Sequence, residues 1–154
     1  MKSIEGIVIV AYWIIGSSVL AITRLLAQVP DIVAHPAGWR AAVGPFVVAV
    51  VGVLGAVRLL NDHRAIQLPA VLLAVQLLAL SVGPLAFRLD VGPFLRVAIG
   101  GLGVTTDFGN DARLLLILGS GNRVPPGAAV NLLSLTALLL LVAAHRASHS
   151  AHAG

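Results

Sequence analysis

Two amides and a set of small residues are the positions in this chain whose types and spacing could do more than fill space. Gln76 and Asn131 sit in matching contexts, Ala74-Val75-Gln76-Leu77-Leu78 and Ala129-Val130-Asn131-Leu132-Leu133. An amide in hydrocarbon needs a partner across a helix interface, a bond worth around 0.6–2 kcal/mol. The pair predicts polar glue between helices, or the symmetric lining of a pathway for a polar solute. Pro45, Ala49, Gly52 and Ala56 recur at helical spacing, and Pro93, Gly100, Gly101 and Gly103 echo them further on. Faces of small residues let helix backbones approach closely. Such a stripe predicts packing, against a neighbour in the same chain or against another subunit, and no catalysis.

Other reactive types lack the spacing that would put them to work. His145, His149 and His152 fall at i, i+4 and i+7. Zinc sites do use histidine pairs at i, i+4, but no carboxylate or cysteine is near, so a solvated tail is the expectation. His35 and His63 are isolated loop histidines. Ser17, Ser18 and Thr23 have no histidine or carboxylate at an activating spacing. Gly119-Ser120-Gly121 lacks the ending of a phosphate loop. Val104-Thr105-Thr106-Asp107-Phe108-Gly109-Asn110 departs from the glycine pattern of a carbonyl ion filter, and reads as a helix end followed by a turn. All six acids fall in expected loops or helix ends, whereas proton-coupled transporters carry ionisable groups inside the membrane. The chain has no cysteine, which excludes disulfides and thiolate chemistry. No catalytic, cofactor or metal site is expected, and the protein is not expected to be an enzyme.

The elements that would position these residues follow from composition. Hydrophobic residues make up 58% of the 154 and charged residues 10%, against about 25% charged in soluble domains. That much apolar surface predicts a bilayer as solvent. The net charge of +4 comes from scattered arginines, which suits anionic headgroups and not the clustered basic face of a nucleic-acid binder.

An internal repeat organises the middle of the chain. Val43 to Gly55 matches Val91 to Gly103 at seven of thirteen positions, and Asn61-Asp62-His63-Arg64 returns as Asn110-Asp111-Ala112-Arg113. With about 20 apolar residues needed per crossing, the pattern predicts an all-α, polytopic membrane protein. Five transmembrane helices are expected, at about 4–26, 41–60, 65–87, 91–106 and 128–144. An interfacial segment over 107–127 and a polar tail over 145–154 complete the single membrane domain. The alternative is four spans plus a re-entrant or interfacial helix at 91–106. The repeat, with copies at about 43–80 and 91–135, would be a two-helix hairpin duplicated in parallel. Positive charges divide evenly between the two sides of such an arrangement, so the positive-inside rule assigns no orientation.

The functional expectation is a non-catalytic, multi-pass protein of a bacterial plasma (inner) membrane. It would act as an accessory subunit, packing against other transmembrane subunits or as a homo-oligomer. A small oligomeric channel or transporter built on the repeat interface is the alternative.

Overall fold

A computed structural model describes residues 2–34, 36–82, 85–100, 103–118 and 126–150. Helix α1 (Lys2–Ala27) carries Glu5 in its first turn and Arg24 in its last, each complementing the helix dipole. Its buried positions Ile7, Val10, Ala11, Ile14, Ser18, Ala21 and Leu25 repeat at three and four residues, the signature of one helical face. A short helix α2 (Val29–Ala34) leads to α3 (Pro36–Asn61), which packs against α1. Pro45 lies inside α3 and removes one backbone donor there. After the turn at Asp62, where Asp62 Oδ1 accepts the Arg64 N–H at 3.0 Å, helix α4 (Gln67–Leu77) begins.

The chain then turns into strands. They are β1 (Leu78–Val82), β2 (Leu85–Gly100), β3 (Gly103–Leu118) and β4 (Gly127–Asn131), followed by α5 (Leu132–Ser150). All pairings are antiparallel, in the order β1-β4-β2-β3, with β1 also paired to β2. At about 3.3 Å per residue, the 16-residue β2 would stretch roughly 50 Å if straight. It curls instead. Its first residues pair with β1 and its last with β4, and β1 and β4 pair with each other. These three strands close a ring. Between Phe87 and Arg96 the same edge of β2 has neither β1 nor β4 beside it. Pro93, which has no N–H to give a ladder, sits in that gap.

The all-helical, five-span expectation is overturned by this sheet. The span expected over 65–87 stops as a helix at Leu77, and Leu78 is extended, with φ −110° and ψ 134°. The span expected over 91–106 is strand throughout its described residues, and the segment from 107 that was expected at the interface continues β3 to Leu118. The last expected span starts as β4. Among the described residues, two helical stretches are long and apolar enough to cross a membrane: Ile4–Ala27 and Ala42–Asn61. The duplicated hairpin fails as well, since Val43–Gly55 is helical and most of Val91–Gly103 is strand. The reason lies in glycine placement and in the β-branched residues next along the chain. Glycine costs a helix about 1 kcal/mol, and the second copy ends with three glycines in four positions, Gly100, Gly101 and Gly103. Val104-Thr105-Thr106 then favours strand. Gly92 has φ +89°, a conformation no α-helix contains.

Two apolar cores share α1 and α3. One joins Ile7, Val10, Ala11 and Ile14 with Ala56 and Leu59 of α3, Leu73 of α4 and Leu141 of α5. The other joins Ala21 and Leu25 with Ala49 of α3 and Leu89, Val91 and Ala112 of the β2–β3 hairpin. Helices therefore cover one half of the α1–α3 pair, and the sheet covers the other half on the same side.

A buried charge cluster as the candidate functional site

Strand periodicity builds this cluster. In β2 the odd positions Leu89 and Val91 face the helices, and the even positions Arg88, Asp90, Phe94 and Arg96 meet in one cluster; Gly92, at φ +89°, breaks the alternation between them and approaches Ser17 of α1. On β3, Arg113 stands opposite Asp90, and Asp107 opposite Arg96. Asp90 has 1% of its side chain exposed, and Arg96 has 6%. Each oxygen of Asp90 accepts a guanidinium hydrogen bond. Arg88 Nε donates to Oδ2 at 2.5 Å, and Arg96 donates to Oδ1. Arg96 also reaches Asp107 at 3.5 Å, and Arg88 lies 4.0 Å from it. The Phe94 ring lies under both cations, 5.6 Å from Arg88 Cζ and 4.5 Å from Arg96 Cζ, within the range of cation–π attraction. Gly109, paired with Phe94, leaves room for that ring: a Cβ there would meet it at 3.0 Å.

The arrangement is two cations against two carboxylates, with no net charge. Guanidinium groups do not give up protons in proteins, and the carboxylate of Asp90 is held from both oxygens. Through the Arg96–Asp107 contact the cluster bridges β2 and β3. Beside it, the curl of the sheet encloses an open cavity of about 420 Å³, with Arg88, Arg96, Thr105 and Asp107 among mainly apolar neighbours.

The residues singled out by sequence go elsewhere. Gln76 is half-buried near the end of α4 and borders a cleft of about 10 Å³ with Ser18, Gly52 and Val91. Asn131 is buried at the end of β4. Its Oδ1 accepts from Leu133 N at 3.2 Å, capping α5, and from Leu95 N at 3.3 Å, beside the gap in the ladder. Asn131 lines neither that cleft nor the larger cavity. Pro45, Ala49, Gly52 and Ala56 are all buried. A Cβ at Gly52 would meet Ser18 Oγ at 2.6 Å, so this part of the stripe is where α1 and α3 approach. Gly100 and Gly103 form no helical stripe; they pair with each other at the end of the β2–β3 hairpin. Of the three tail histidines, His145 and His149 lie on α5. His152, His35, Gly101 and the turn residues 119–125 lie outside the described residues.

The charge cluster was missed by sequence reasoning, although it left a signal. Arg88, Asp90 and Arg96 are the charges of an otherwise apolar run, and all are separated by even numbers of residues. A strand places such residues on one face, whereas an α-helix would spread them around its circumference. No protein-family model matches the chain, and neither a curated protein nor a solved structure is similar to it.

Proposed function

We propose that the protein is a non-catalytic accessory subunit of a bacterial plasma membrane, held in the bilayer by α1 and α3, with other transmembrane subunits as partners. One observation carries the reading: the outer face of the α1–α3 pair is apolar and uncovered. Ile9, Tyr12, Val19, Leu20 and Leu26 of α1 are exposed, as are Val43, Phe46, Val47, Val50, Leu54 and Val57 of α3. Only 33% of each apolar helical stretch is buried within the protein. Soluble monomers rarely expose contiguous apolar patches larger than a few hundred Å². Hydrocarbon is the solvent such a face fits. At 1.5 Å per residue, the 24 and 20 residues of the two stretches reach about 36 and 30 Å, against a hydrocarbon core of about 30 Å. The accessory role is supported by the character of the charge cluster, which is neutral and satisfied from within.

Alkaline carbonate extraction of membranes from cells expressing the full chain tests the reading. The protein should stay in the membrane pellet. Its release to the supernatant with peripheral proteins would count against residence in the bilayer.

A further inference from the structure

We infer that the outer edge of β3 pairs with β3 of a second copy of this chain, antiparallel about a two-fold axis at Asn110. β1, β2 and β4 each pair with two or more strands, whereas β3 pairs with β2 alone. Among the described residues, no backbone hydrogen bond from a turn or loop reaches β3. Along its sixteen residues the outer edge of β3 has no strand beside it; one of the strand's backbone donors, Ala112 N–H, is given to Asp111 Oδ1 at 2.9 Å. Proteins blunt such edges with proline, charged side chains (lysine above all) or short strands; β3 is long and has no proline or lysine, and its charges are Asp107, Asp111 and Arg113. Residues 103–108 are exposed throughout, so no described residue shields that half.

Charge selects the occupant and the register. A two-fold axis normal to the sheet keeps every side chain on its own face, so the axis must pass through a residue. Centred on Asn110, the pairing runs over 103–117, fifteen of the sixteen positions of β3. Asp107 then faces Arg113 of the other copy, twice, and no like charges meet. Both side chains are largely exposed, 59% and 62%, and each would turn from a neighbour in its own chain: Asp107 from Arg88 and Arg96, at 4.0 and 3.5 Å, and Arg113 from Asp111, at 3.4 Å. Moving the centre by one residue destroys the match: at 109 Asp107 faces Asp111, and at 111 Asp111 faces itself. Centred at 112, Asp111 faces Arg113, but only thirteen positions pair. This surface is separate from the outer face of α1 and α3, so pairing and membrane residence stand or fall independently.

The chain has no cysteine, so single cysteines report the register directly. Opposed residues in an antiparallel pair have Cβ atoms about 4.5–5.5 Å apart, close to disulfide distance. Under mild oxidation in detergent, Asn110→Cys should lose its monomer band to a disulfide dimer. Thr106→Cys should keep its monomer band, because its two copies would lie eight residues, roughly 27 Å, apart. Mixed, differently tagged Asp107→Cys and Arg113→Cys chains should cross-link to each other. Light scattering of the unmodified chain should give twice the 15.8 kDa of one copy. A single-copy mass would overturn the inference whatever the variants do. So would equal cross-linking at 106 and 110, or a dimer in which neither 110 nor the 107–113 combination cross-links.

Discussion

Asp90→Ala should destabilise the protein by about 3–5 kcal/mol, the usual cost of removing one partner from a buried ion pair. The change leaves Arg96, 6% exposed, with its remaining carboxylate 3.5 Å away on Asp107. Arg88 is less affected, being 28% exposed. Because the cost comes from a stranded charge and not from lost attraction, removing that charge too should restore much of the stability. Asp90→Leu combined with Arg96→Met should therefore be more stable than Asp90→Ala alone. Denaturant unfolding in detergent, followed by far-UV circular dichroism, reads both. A double variant as unstable as the single one would show that the ion pair itself, and not the uncompensated charge, holds β2 in its curl.

Gly92→Ala should cost about 3 kcal/mol, from two sources that add. At φ +89° an alanine is strained, by of order 1–3 kcal/mol. Its Cβ would also lie 2.6 Å from the carbonyl oxygen of Ser17 and 2.8 Å from that residue's Cα. These are backbone atoms of α1 and cannot swing aside, so overpacking adds about 1–3 kcal/mol. Gly103 separates the two sources. It has φ +96°, but a Cβ there meets nothing within 4 Å. Gly103→Ala should therefore show the strain alone, and the smaller loss. Equal losses in the same unfolding measurement would mean that β2 does not cross α1 at Ser17.

Those two sites also show where the sequence could be read and where it could not. Residues 4–26 and 41–60 were legible as long apolar helices because each has enough consecutive apolar residues to span on its own, with a polar turn at Asn61 to Arg64. Ala49, Gly52 and Ala56 recur at helical spacing in the sequence, and all three are buried in α3. The sheet was not legible in this way. Val91 to Gly103 shares seven positions with a helical segment, and the even spacing of Arg88, Asp90 and Arg96 is a fainter local sign of a strand. What makes this segment a strand is distant. β3 supplies sixteen residues of pairing, and β4, thirty residues on, closes the ring. Local spacing does not record such partners. Gln76 and Asn131 show the same effect, since similar surroundings in sequence end as a helix terminus and a strand end that caps the next helix.

Membrane residence requires the outer face of α3 to lie against hydrocarbon, and a pair of spin labels on the full chain in liposomes tests that directly. Leu54 is 62% exposed on that face, and Asp62 is exposed in the turn after the helix, eight residues or about 12 Å further along. A label at Leu54→Cys should be relaxed by dissolved oxygen and shielded from a water-soluble nickel chelate. A label at Asp62→Cys should respond to the chelate. If the chelate reaches position 54 as readily as position 62, the face is in water and membrane residence is contradicted.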